Sequence, residues 1–324
     1  ENRGLNCMFT FMNTARIGTA IQGLSASEGA FQGALAYAKD RLAMRALSGP
    51  KAPEKEADPI IVHPAVRNML LTQKSFAEAG RALVYLLSLH ADTVEQGATE
   101  EERKASDNIL SLLTPIAKAF LTETGSESAK HGVQVFGGHG FISEHGMEQI
   151  VRDSRISTLY EGTTGVQALD LIGRKVLLTS KGKVIRDYTA EILKFCGQHA
   201  RNKYMRRFAW DLTKLCAQWN ALTVRIMLAA RKDRDIVSSA SVDFLMFSGY
   251  VMMAYFWAQQ AAVASAKLAS GEGQEVPEFY KAKIKVADFY FERMLPRTQG
   301  HAEAMVNPSK TMTSLAAEHF SFDY

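Results

Sequence analysis

One carboxylate in this chain sits where helix periodicity has lapsed. Glu161 falls in Leu159-Tyr160-Glu161-Gly162-Thr163, between an aromatic ring and a glycine. A carboxylate there can act as a general base, with the ring as a pocket wall and the glycine leaving room for substrate. It can equally favour the N-terminal dipole of a helix beginning near Val166. The residues by themselves leave both roles open. Upstream, Gly137, Gly138 and Gly140 crowd into four positions. Backbone without Cβ allows close approach and inexpensive positive φ, so a phosphate cradle and a plain helix stop both fit. The dinucleotide fingerprint, Gly-x-Gly-x-x-Gly after a strand, does not occur here. His131, His139 and His145 have spacings that suit neither one helix face nor a zinc motif, so no metal site is expected. No nucleophile elbow with a Ser/His/Asp set is visible, which argues against hydrolase chemistry.

Positioning these residues falls to helices. Ile17, Ala20, Ile21, Leu24, Phe31, Ala34, Leu35, Ala38 and Leu42 recur at helical spacing, predicting a first helix from Asn13 to about Leu47, stopped by Ser48-Gly49-Pro50. The proline-rich, charged stretch GPKAPEKEADP reads as an exposed loop. A second helix is expected from Pro64 to near Gly97 and a third from near Glu100 to Phe136, bent or broken at Pro115. Met147 to Asp153 and Val166 to Leu178 complete one bundle over about 1–180. Val184–Cys196, Phe208–Arg231, Arg234–Ala269 and Phe279–Leu295 form a second over about 184–324, with Trp210, Trp219 and Trp257 supplying buried area. The Met-rich run FLMFSGYVMMAYFW reads as buried helix. Strand signals are nearly absent, so the fold class is all-α.

The chain has 324 residues, with 47% hydrophobic and 22% charged, as in ordinary globular proteins. Its net charge of +4 is dispersed, which points to neither nucleic acid nor membrane partners. The densest basic cluster, Arg201, Lys203, Arg206 and Arg207, reads as a solvated helix face. Cys7, Cys196 and Cys216 lie far apart without a Cys-x-x-Cys pair, which suits a reducing, cytoplasmic setting. No apolar run is long enough for a membrane span. The opening ENRGLNCMFTFMN is too polar for a leader and reads as the interior of a longer chain.

The stretch QVFGGHGFISEHGMEQIVRDSRISTLYEGT, residues 134–163, resembles the C-terminal signature of flavin-dependent acyl-CoA dehydrogenases. Gln-Val-Phe-Gly-Gly-x-Gly, Arg-Asp and Tyr-Glu-Gly-Thr follow in the family's order without a gap. FMNTARIG and YAKDR on the first helix are similar to two further family motifs. The resemblance covers residues 5 to 178. The region after 184 and the long loop at 48–62 resemble the enlarged subgroup typified by 3-methylmercaptopropionyl-CoA dehydrogenase.

The resemblance implies a C-terminal helical bundle followed by an extra helical domain, with the family's N-terminal helical and middle β-domains absent from these residues. It implies that Glu161 removes the α-proton of an acyl-CoA thioester while a β-hydride passes to FAD. Tyr160 would line the acyl pocket, Gly162 would leave room for the chain, and Asn13 and Arg16 would lie near substrate and base. Gln134, Gly137 and Gly138 would receive the adenosine end of FAD from a neighbouring subunit. Arg41 would reach its pyrophosphate, and Thr163 would lie beside the flavin. A homodimer or homotetramer follows, with electron-transfer flavoprotein as the expected acceptor. Other readings are an acyl-CoA oxidase and a non-catalytic helical dimerisation module without FAD. Three positions depart from the family pattern: Leu-Ala-Met-Arg follows Arg41, Gly165 replaces a frequent Gln, and Pro64 replaces a polar residue.

Overall fold

The computed structural model describes residues 3–271 and 275–321; side chains at 5–7, 9, 10 and 13 fall outside that description, including those of Cys7 and Asn13. Among the described residues the architecture is all-α, with one isolated bridge, Leu42 to Pro59. Three long helices make the front of the molecule: α1 Gly4–Asp40, α2 Pro64–Gln96 and α3 Glu100–Phe136. Pro64 starts α2 at a position where a missing N–H costs nothing. A capping box starts α3, with Thr99 Oγ1 accepting from Glu102 N–H and the Glu102 carboxylate accepting from Thr99 N–H. Then come α4 Met147–Ser157 and α5 Thr164–Leu169, which runs on as a π-helical stretch, Asp170–Thr179.

α1 and α3 cross with almost no gap. A Cβ on Gly23 would lie 2.3 Å from the Leu121 carbonyl oxygen, and one on Gly125 would lie 2.5 Å from that of Gly23. Backbone meets backbone there. α3 passes through Pro115 as a single helix. Proline removes the N–H that would bond the Ser111 carbonyl, and Lys175 Nζ donates to that oxygen instead, at 2.5 Å.

The predicted first helix overran its true end. Arg41 already has ψ 122, and the chain from there folds around Asp58 rather than continuing to Leu47. The fully buried Asp58 carboxylate accepts from the N–H groups of Ala46, Lys51 and Ala52 and from Arg45. Burial would raise its pKa, but those donors outweigh it and hold the carboxyl well below the usual range. The stretch read as an exposed loop is therefore organised around a buried charge, and Ala52 is buried with it.

The back of the molecule comprises α6 Lys183–His199, α7 Arg206–Ala229, α8 Asp235–Ser239, α9 Ser241–Ser270, α10 Pro277–Phe289 with a π-helical extension Tyr290–Met294, and the short α11 Arg297–Ala304 and α12 Lys310–Thr313. The sequence pattern merged α8 with α9 and missed α11 and α12. α9 is the central pillar: Phe244, Phe247, Met252, Met253 and Trp257 have no solvent exposure. Its rings continue into the front, where Phe120 meets Tyr250 edge-on at 5.0 Å and Trp257 Nε1–H donates to the Ser75 carbonyl. One apolar core thus runs through both halves. Trp210 does not join it; it is 65% exposed on α7 because it faces away from α6 and α9. Of the basic cluster, Arg207 is paired with Asp288 and Glu292, while Arg201 and Lys203 lie in the turn between α6 and α7. No helix among the described residues is long and apolar enough to cross a membrane.

Candidate active site

Two places gather the residues singled out in the sequence. The first lies where α1 and α3 end side by side. α3 stops at Phe136, and Gly137 takes φ 61 and ψ −138, a backbone closed to residues with a side chain. Tyr37 of α1 stacks on Phe136 at 4.1 Å between centroids, and its hydroxyl bonds His139 Nδ1 at 2.7 Å. Tyr37, Arg41, Gln134, Gly137, Gly138 and His139 line one cavity of about 300 Å³. Arg41 and Gln134 are distant in sequence, so the fold itself brings this set together. A Cβ on Gly137 or Gly138 would meet nothing within 4 Å. Arg41 is exposed, with no carboxylate in salt-bridge range among the described residues. A cation, bare backbone and stacked rings fit a phosphate-bearing ligand with a flat base, the chemistry of the adenosine diphosphate end of FAD.

The second place is the loop between α4 and α5. Glu161 takes φ 57 and Gly162 φ 92, so two left-handed residues follow one another. A non-glycine residue pays about 1–2 kcal/mol for this and holds it only when its surroundings fix it. Three side chains do so. Gln167 Nε2 donates to the Glu161 carbonyl at 2.9 Å, Lys118 Nζ donates to the Gly162 carbonyl at 2.7 Å, and the Tyr160 hydroxyl donates to Gln22 of α1. Gln167 and Lys118 are fully buried. A Cβ on Gly162 would lie 2.5 Å from Gln167 Nε2, so only glycine fits. Thr163 caps α5, accepting from Val166 N–H. The Glu161 side chain remains half-buried, with Tyr160 and Thr163 exposed beside it. Glu161 is thus not a helix-capping carboxylate; Thr163 fills that role.

Arg16 is buried and engages Asp170 at 3.7 Å, while its Nε has no protein partner. Asp170 also meets Arg174 and Lys175. Burial pushes Lys118 down to about 8; nearby Glu123 and Glu161 oppose that shift and Arg16 adds to it. Burial likewise pushes Lys175 down to about 8, against the pull of Asp170. Asn13 stands on α1 a turn before Arg16, with its side chain outside the described residues. Sequence reasoning missed Lys118, Gln167 and Gln22. Lys118 did leave a signal: it is the one charged residue between Leu112 and Thr122, in a run otherwise destined for the core.

Residues 2–177 match the family model described as acyl-CoA dehydrogenase, C-terminal domain, and residues 188–316 match one described as acetyl-CoA dehydrogenase C-terminal like. The chain is 38% identical to 3-methylmercaptopropionyl-CoA dehydrogenase of Ruegeria pomeroyi over 91% of its length and 49% of that protein. It is 32% identical to a butyryl-CoA dehydrogenase of Syntrophomonas wolfei over 94% of its length and 49% of that protein. The chain therefore spans about half the length of the curated relatives it matches. Its fold aligns with an acyl-CoA dehydrogenase of Bacillus anthracis solved with FAD, at a TM-score of 0.68 and 18% identity, covering 96% of this chain and 52% of the other.

Proposed function

The chain belongs to the acyl-CoA dehydrogenase family, as its C-terminal region, and from that premise we propose that it is the base-bearing part of an enzyme that converts an acyl-CoA thioester to the trans-2-enoyl-CoA. The observation that carries the reading is Glu161 fixed in a left-handed conformation, its carbonyl and that of Gly162 tied down by buried side chains while its carboxylate stays open.

In this reading Glu161 takes the α-proton, and its own backbone N–H polarises the thioester carbonyl, which makes that proton acidic enough for a carboxylate. Bound FAD would supply the hydride acceptor for the β-hydrogen. Tyr160 would wall the acyl pocket, Gly162 would admit the chain, and Thr163 would be a flavin-side contact. Asn13 and Arg16 match family positions near substrate and base, and Arg16 is held by Asp170. The cavity of Arg41, Gln134, Gly137 and Gly138 takes the adenosine end of a cofactor whose flavin serves a neighbouring subunit, so the assembly is a homodimer or homotetramer. Electron-transfer flavoprotein is the proposed acceptor, by family. The substrate proposed first is 3-(methylthio)propanoyl-CoA, on the strength of the Ruegeria relative. We also propose a division of labour, with both sites in residues 1–180 and residues 184–324 bracing them from behind, which agrees with the two family models meeting near residue 180.

Glu161→Gln in the full-length protein tests this. Flavin bleaching by acyl-CoA should slow by about 10²–10⁴-fold, the usual contribution of a general base, while flavin content is retained. Bleaching at close to the wild-type rate would remove Glu161 from that role.

A further inference from the structure

We infer that Lys118 is a positioning residue for Glu161: its buried ammonium grips the carbonyl of Gly162, the residue after the base, and holds the carboxylate in its working orientation. This rests on the reading of Glu161 as base.

A lysine chain end with no solvent exposure is costly unless it is bonded and balanced. Lys118 has a rigid origin, the middle of α3, and its donor bond leaves the helix altogether to reach the Gly162 carbonyl at 2.7 Å. That carbonyl ends the second of the two left-handed residues, so fixing it fixes the Gly162–Thr163 peptide plane, one residue beyond Glu161. Gln167 fixes the plane between, Glu161–Gly162, through the Glu161 carbonyl, so two successive planes after the base are held. The two clamps differ in charge, because only Lys118 brings a cation. The charged groups facing it are Glu123 on its own helix, Glu161 across the gap, and Arg16 from α1. Glu123 is itself engaged by the Thr164 hydroxyl at the start of α5. The ammonium thus sits between one carboxylate tied to the helix frame and one that faces the substrate side. Removing it frees the loop and alters the field at the base together, whereas the substrate-exposed walls at Tyr160 and Thr163 stay in place.

The test uses the full-length, FAD-loaded enzyme with Lys118→Met, which keeps the bulk and loses the donor, and Lys118→Gln, which keeps a neutral donor. Flavin reduction by acyl-CoA and affinity for the enoyl-CoA product are measured separately. Lys118→Met should slow reduction by about 10²-fold, the cost of misplacing a reacting group by roughly 1 Å, with affinity unchanged within about threefold. Lys118→Gln should fall between Met and wild type. Reduction by Lys118→Met within about threefold of wild type overturns the inference, as does an equal loss in rate and affinity. If Lys118→Met fails to fold or to hold flavin, Lys118→Gln decides: slowed reduction with product affinity kept supports the inference, and reduction within about threefold of wild type overturns it. A wild-type flavin that no acyl-CoA reduces would overturn the dehydrogenase reading and this inference with it. A bleaching wild type with indifferent variants overturns this inference alone.

Discussion

Gly23→Ala adds one methyl group at the tightest point of the α1–α3 crossing. Two effects oppose each other. Alanine in a helix interior gains about 1 kcal/mol over glycine in propensity. Against that, the new Cβ lies 2.3 Å from the Leu121 carbonyl oxygen, 2.5 Å from its carbon and 2.7 Å from Thr122 N, all of them backbone atoms that no rotamer change can move. Opening the contact to ordinary van der Waals distance separates the helices by about 1 Å, and overpacking of this kind costs about 1–3 kcal/mol. The backbone character of the clash places it at the upper end, so the net change is destabilising by about 1–2 kcal/mol. Gly18→Ala is the matched control. It lies on the exposed face of the same helix with nothing within 4 Å of a built Cβ, so it collects the propensity gain alone, about 1 kcal/mol stabilising. Thermal unfolding of the two variants side by side should put Gly18→Ala above wild type and Gly23→Ala below it. The activity readout is sharper. Gln22, which takes the Tyr160 hydroxyl, adjoins Gly23, and Lys118 is one turn from Leu121, so a shift of about 1 Å should slow the chemical step by about 10²-fold. A Gly23→Ala protein as stable and as active as Gly18→Ala would refute the claim that this crossing sets the loop geometry.

Two further outcomes follow from charge. Lys118 and Lys175 are each pushed down to about 8, so between that value and the ordinary lysine pKa near 10.4 the unfolded chain binds more protons than the folded one. By linkage, these two lysines add stability as pH rises across that window, while Cys196 and Cys216, whose thiols burial pushes up, subtract from it above about pH 8.5. Above about pH 10 it falls, because burial raises the pKa of Tyr188, Tyr250 and Tyr290 and the unfolded chain sheds those protons first. The lysine part is read against Lys175→Met: if the wild-type melting temperature does not gain on that of the variant from about pH 8 to 10, the first half is contradicted. Asp58 works in the opposite sense: its depressed pKa gives a contribution present above the unfolded value near 4 and lost as pH falls through the folded one. Asp58→Ala should release the 41–63 segment, with faster proteolysis between Ala43 and Lys55 and weakened FAD retention through a misplaced Arg41. Wild-type cleavage rates would show that the carboxylate does not organise the segment.

Fold class, the three long front helices and the buried α9 run were legible because each rests on apolar spacing over many turns. The end of α1 was not. Leu42 and Ala46 continue the helical pattern, but Ala46 N–H bonds Asp58 rather than a helical carbonyl, a choice made by a carboxylate twelve residues away that periodicity cannot register. Pro115 misled in the other direction, because the group that takes the Ser111 carbonyl, Lys175, lies on a different helix. At the site, the residues carried by the family motif fell into two coherent places, Arg41 with the glycine loop and Glu161 with its neighbours. The side chains that hold them did not appear in any motif. Gln22, Lys118 and Gln167 come from three different helices and act on backbone carbonyls or hydroxyls, so local spacing is silent about them.

That split has a physical basis that also accounts for the back half of the molecule. A base must remain open on the side where substrate arrives, so it cannot be fixed by burial of its own side chain. Its backbone must be fixed instead, and from behind. Lys118 and Gln167 can do this only if α3 and α5 are themselves immobile on the face turned away from the loop. α9 supplies that support: Tyr250 meets Phe120 two residues from Lys118, and the apolar residues of α5 and its π-helical extension, Ala168, Leu171 and Ile172, belong to the same solvent-free core as Phe244 and Phe247. An irregular, exposed loop that carries the proposed base and a long apolar helix are then two parts of one device. The strain held at Glu161 is met by packing around residues 244–257.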